Sequence, residues 1–201
     1  MMKRDRVGPN RDHECVHDGL RSRRHVLVGL GSASIALAGC LGDDESTDAP
    51  AEPISLDDGQ TCDVCGMRID DHHGPAGQVF YADGKPAERD GPAWFDSIRE
   101  LTVYHEERRD RGWDLRDVFV TDYAAVEYAI VERDETLYIS SHVEADTFVD
   151  ATTVDYVVDS TVEGAMGPEF LPFSDSEAAV SFTEEYNGAL RSWEELPSLV
   201  T

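Results

Sequence analysis

The chain has 201 residues with 17 Lys+Arg against 42 Asp+Glu, a formal net charge of −25. Residues 1–40 hold seven basic and four acidic side chains, so residues 41–201 carry 10 − 38 = −28. Such a surface repels phosphate backbones and excludes nucleic acid as a partner, and the length suits one compact domain or two small ones. Lysine occurs only at Lys3 and Lys85 while the acids are spread along the chain. That pattern fits a soluble surface bathed in concentrated salt, with an acidic docking face as the other reading.

The first forty residues read as an address. Ser22-Arg23-Arg24-His25 precedes a mild apolar run from Val26 to Ala38, the pattern of a twin-arginine export signal. The run is too short and too rich in Gly, Ser and Ala for a stable membrane span. Leu37-Ala38-Gly39-Cys40 resembles a lipobox, which makes Cys40 the lipidated residue and the membrane contact, on the outer face of the cell membrane. Residues 41–54 form a polar linker without apolar periodicity and are expected to be disordered. Cys15 leaves with the signal, so Cys62 and Cys65 are the thiols of the mature domain, and Met67 and Met166 its methionines.

Farther along, 78–81 and 87–89 read as short strands around Asp83-Gly84, a hairpin signal. A helix is expected from Asp90-Gly91-Pro92, with Trp94, Phe95, Ile98, Leu101 and His105 at helical spacing. Residues 117–123, 126–131, 137–140 and 152–158 are β-prone. Phe170-Leu171-Pro172-Phe173 reads as an edge segment, because proline cannot donate to a central ladder. Ser174 to Glu177 reads as a capping box opening a helix that ends at Asn187-Gly188, and 189–193 as a last strand. The class is α+β, built from two successive ββαβ-like modules with short antiparallel sheets over 55–196, dividing near 125/126.

Cys62-Asp63-Val64-Cys65-Gly66-Met67 carries the chemistry. Two thiols and a thioether within six residues favour Cu(I) over the oxygen-seeking Mg²⁺ and Ca²⁺. Closed structural zinc is disfavoured, since four ligands are wanted and neither a second Cys pair nor a His-x₃₋₅-His spacing follows. A disulfide and a thiol-disulfide reductase using Cys62 and Cys65 stay open as alternatives. Cys65, Met67, Cys62 and Met166 are the metal candidates; His72, His73, His105 and His142 rank below them, as loop or core histidines. Among the catalytic signatures, Gly-x-Ser-x-Gly, the P-loop and the dinucleotide glycine pattern are absent, so the chain does not read as an enzyme.

Taken with Gly74-Pro75-x-Gly77-Gln78, Asp83-Gly84-Lys85, Phe95-Asp96, Met166-Gly167-Pro168 and Tyr186-Asn187-Gly188, the cysteine motif resembles the NosL family over residues 55–196. The resemblance implies a Cu(I)-binding accessory lipoprotein that delivers copper to nitrous oxide reductase, working with the reductase or its membrane transporter complex. It implies Cys65, Met67 and Met166 as copper ligands. It leaves Cys62 as an extra ligand or a disulfide partner.

Overall fold

The computed structural model describes residues 50–89 and 91–200; the segments expected to be an export signal and a lipobox with Cys40, the first part of the expected linker and Asp90 lie outside them. In chain order the described residues form β1 (Gly77–Tyr81), β2 (Ala93–Phe95), α1 (Ile98–Asp110), β3 (Leu115–Thr121), β4 (Ile130–Arg133), β5 (Thr136–Ile139) and β6 (Phe148–Asp150). There follow β7 (Asp155–Val158), β8 (Val162–Gly164), β9 (Gly167–Pro168), β10 (Leu171–Phe173), α2 (Ser176–Tyr186) and β11 (Ala189–Arg191). The strands make three small sheets ordered β2-β1-β3-β6, β10-β7-β11 and β4-β5-β8-β9. Every pairing is antiparallel except β5 with β8. The fold is α+β.

Two stretches share one ββαβ topology. In β1-β2-α1-β3 and again in β7-β10-α2-β11, the first strand is central, the second flanks one side, and the third returns after the helix to the other. Pro172 sits on the edge strand β10, as its missing N–H requires. Period-two alternation lets β7 serve two cores: Tyr156 and Val158 join Val79, Phe95, Ile98 and Val120, while Val157 joins Leu171, Phe173 and Phe182. The chain is tied down from its first described residues, with Ala51 N–H donating to Asp117 Oδ2 (2.8 Å) and Ile54 exchanging hydrogen bonds with the Gln78 side chain.

The sequence misplaces the start of α1. Residues 87–89 form a turn, the strand paired with β1 is 93–95, and the helix begins at Ile98 with Ser97 as its N-cap. Trp94 and Phe95 have helical spacing with Ile98, but they alternate as strand residues: Phe95 is fully buried and Trp94 turns outward to the cysteine loop. The cap of α2 also shifts by one residue, from Ser174 to Asp175, whose carboxylate accepts from Ala178 N–H at 2.8 Å. Helix α1 lies very close to its sheet at Gly77. A Cβ there would overlap Leu101 Cδ1 and stand 3.1 Å from Ile98 Cδ1.

Candidate metal centre

The loop over 61–68 closes on itself through a bridge between Thr61 and Arg68, with Cys62 N–H donating to Met67 O (2.8 Å) and Gly66 N–H to Cys62 O (3.0 Å). Gly66 makes the return turn at φ +75°, a left-handed conformation that a side chain disfavours. Trp94 of β2 holds the loop. Its backbone carbonyl accepts from Asp63 N–H (3.0 Å), its N–H donates to Asp63 Oδ2 (2.9 Å), and its indole N–H donates to Thr61 O (2.9 Å). Arg89 pairs with Asp63 and lies 4.2 Å over the Trp94 ring. Asp63, in the middle of the Cys-x-x-Cys, is therefore a pin for the loop.

The thiols meet the N-terminus of α1. Ser97 caps the helix by accepting from Glu100 N–H at 3.3 Å, which satisfies one of the end's orphan donors. The Glu100 carboxylate does not complete a reciprocal box; its Oε2 accepts from Cys62 Sγ at 3.1 Å. Asp96, one residue before the cap, accepts from Cys65 Sγ at 3.4 and 3.5 Å. One ligand atom from each of Cys62, Cys65, Asp96 and Glu100 lies within 4.8 Å of the other three.

Burial and acidic neighbours set the electrostatics of the pocket. Burial pushes the Cys62 thiol well above its ordinary range, outweighing backbone N–H groups of Cys65, Asp96 and Val64 that point at its sulfur and favour the thiolate. Burial also raises Cys65, and the negative charges of Asp96 and Glu100 raise it further. Both cysteines are free thiols. Three N–H groups on one sulfur suit a thiolate that a metal has already relieved of its proton. The donor set fits a metal: two sulfurs and two carboxylates converge, and none of them needs to cross the fold to meet the others.

A second-half residue braces this end of the helix. Glu169, 2% exposed, accepts from Arg99 N–H (3.0 Å) and Phe170 N–H (2.8 Å) through Oε1. Its Oε2 is buried without a hydrogen-bond partner, and burial raises its pKa to about 7.

The structure thus brings Cys62 and Cys65 together and fixes Met67, half-buried, on the same turn through its carbonyl. Met166 occupies the tip between β8 and β9, 48% exposed, on a hairpin held by Ala165 N–H donating to His73 O (2.8 Å). Each ranked histidine but His72 has a structural partner in its ring. His105 is buried against Tyr81, with Nδ1 3.2 Å from its hydroxyl; His142 Nε2 is 3.1 Å from Ser140 Oγ; His73 stacks on Tyr138. Sequence reasoning missed Asp96 and Glu100. Ser97-Ile98-Arg99-Glu100 is a Ser-x-x-Glu helix-start signal, and reading it would have put both acids at one helix end.

Comparison with known proteins agrees on one lineage. The family model for NosL matches residues 53–200. The copper-binding lipoprotein NosL of Stutzerimonas stutzeri is 28% identical over 171 residues, covering 85% of this chain and 76% of that protein. The crystal structure of the copper chaperone NosL from Shewanella denitrificans is similar with a TM-score of 0.56 at 24% identity, covering 73% of this chain and 96% of that one. At that identity the likeness bears on the fold.

Proposed function

This chain belongs to the NosL family, and from that premise we propose that it is an extracytoplasmic, lipid-anchored chaperone for Cu(I). Its client is nitrous oxide reductase, reached directly or through a membrane transporter complex, and its anchor is a lipid on Cys40 added after twin-arginine export. Among the described residues no helix is long and apolar enough to cross a membrane. The observation that carries the reading is the convergence of two free thiols on one tight loop that also holds Met67. The name of its curated relative, a copper-binding lipoprotein, supports copper as the cargo.

Transfer would proceed by ligand exchange. Cys65 is only partly buried and Val64 beside it is exposed, so a partner's sulfur can approach the ion from solvent and replace the loop's ligands one at a time. Met67 and Met166 supply thioethers, which bind Cu(I) without losing a proton. The thiols' surroundings weigh against a thiol-disulfide reductase. Such an enzyme needs a thiol of lowered pKa, whereas burial raises both of these, with Glu100 adding to it at Cys62 and the charges of Asp96 and Glu100 at Cys65. Anaerobic Cu(I) titration of the reduced chain against a colour-forming chelator, followed by X-ray absorption, tests the proposal. We expect one tightly held ion with sulfur neighbours, and a roughly tenfold loss of affinity (about 1.4 kcal/mol) in Met67→Ala. An unchanged affinity in that variant removes the thioether from the site.

A further inference from the structure

We infer that one end of the first ββαβ unit is the face this protein turns to an anionic lipid surface. That end is formed by the turn after β1, the last turns of α1 and the start of β3. The inference rests on the lipid-anchored reading above for its tether, and it concerns lipid rather than metal.

Charge distribution points there first. Residues 80–87 and 104–117 hold five basic and six acidic side chains, −1 in all, whereas the rest of 41–201 holds five basic and 32 acidic, −27. The fold gathers the two stretches. Tyr81 pairs with Leu115, Ala82 N–H donates to Asp114 O (2.9 Å), and Trp113 N–H donates to Arg108 O (3.0 Å). Anionic headgroups repel a chain of this net charge, so a molecule held close to them presents its least negative side. Arg108 and Arg109 also offset the negative end of the α1 dipole there.

The side chains suit a headgroup layer. Two cations approach the Trp113 ring, Lys85 Nζ at 5.5 Å and Arg108 Cζ at 5.4 Å from its centroid. Arg116 stands 5.6 Å over Phe80, the Arg111 side chain is 63% exposed, and Leu115 adds an apolar group 37% exposed. Guanidinium groups bind phosphate oxygens with two parallel hydrogen bonds, and amphipathic rings such as Trp settle at headgroup level.

The tether enters at the same place. Ala51 N–H donates to Asp117 Oδ2 (2.8 Å), and Arg116 Nε donates to that same oxygen (3.2 Å). The ten residues between Cys40 and Ala51 reach at most about 40 Å. A lipid on Cys40 therefore keeps Arg116 within reach of the bilayer, and an acyl anchor holds more firmly when a basic contact joins it. That proximity favours lipid over an acidic protein as the occupant. From Ser97 to Arg108 helix α1 rises about 16 Å, so the cysteine loop at its far end stands clear of the headgroups and open to a client.

Hydrogen–deuterium exchange on vesicles tests this, with α2 as internal reference. To make the result independent of lipidation, the full chain carrying Cys40→Ser is joined at its N-terminus to a lipid by sortase. It is then held on phosphatidylcholine vesicles with or without phosphatidylglycerol. Amides over 82–87 and 111–116 should exchange about threefold more slowly when phosphatidylglycerol is present, and those over 61–68 at an unchanged rate. Arg111→Glu with Arg116→Glu should abolish the difference while leaving Cu(I) affinity within about twofold of wild type. Equal exchange on the two kinds of vesicle, or protection elsewhere in the fold, overturns the inference. Protection by polyglutamate in solution but not by phosphatidylglycerol assigns the face to an acidic protein and overturns it as well. The anchor is judged separately: wild-type chain should sediment with cell membranes and Cys40→Ser should not. If both sediment alike, the lipid on Cys40 is removed and the exchange result still decides the face.

Discussion

The two ββαβ units differ most instructively at one dipeptide. Where β2 runs into α1 the chain reads Phe95-Asp96-Ser97, and where β10 runs into α2 it reads Phe173-Ser174-Asp175. In the second unit the acid is itself the N-cap and accepts from Ala178 N–H. In the first, serine caps the helix and the acid, one residue earlier, faces a thiol. Exchanging the order of Asp and Ser therefore decides whether a carboxylate serves its helix or its neighbours. The scaffold is common; the chemistry belongs to the unit whose cap is neutral.

The largest expected break in this comparison is Cys62→Ser with Cys65→Ser. Chelator competition should show at least a 100-fold loss of Cu(I) affinity, roughly 2.7 kcal/mol, whereas Ser174→Ala in the second unit should leave copper binding unaltered. Next comes pH. Both thiols are held protonated through the neutral range, so each thiolate ligand must release a proton and the apparent affinity should climb about tenfold per pH unit per thiolate between pH 6 and 8. A pH-independent affinity would mean that neither thiol is a ligand.

Glu169 reports on the link between the units. Its folded-state pKa, near 7, lies above the ordinary 4.5, so its contribution to stability is intact below about pH 4.5 and is lost as pH rises through 7. The span corresponds to about 3 kcal/mol. Urea unfolding of the metal-free chain should show Glu169→Gln losing less stability than wild type between pH 5 and 8. His105, whose pKa burial lowers, acts with the opposite sign, its contribution present above about pH 6.5 and lost as pH falls, which is why the variant must be compared with wild type at each pH. The smallest effect is Asp175→Ala, which should cost about 1 kcal/mol by loss of a cap with Cu(I) binding unaffected. A comparable metal defect there would show that the units are not chemically separate.

Much of this was legible in the chain. β-Branched runs mark β3, β5 and β7, Pro172 marks an edge, and the spacing of Cys62, Cys65 and Met67 marks soft-metal chemistry before any fold is known. What stayed hidden depends on contacts between distant segments. Trp94 and Phe95 lie at helical spacing with Ile98, and only the pairing of β2 with β1 shows them to be strand residues. That misreading buried Asp96 and Glu100 among 42 acids. The brace from Glu169 to Arg99 joins residues 70 positions apart, which no local pattern encodes.

Gly77 extends the same point to a place where there is no side chain at all. Helix α1 can carry its two carboxylates to the thiols because β1 offers bare backbone beneath Leu101 and Ile98. Even a methyl group there would force Leu101 to move within a fully buried layer, and the shift would be felt at Asp96 and Glu100, which flank Ile98 and Leu101 at the same end of the helix. Metal affinity could then shift through a residue that never touches the ion, so a search confined to ligand positions would overlook one of its controls.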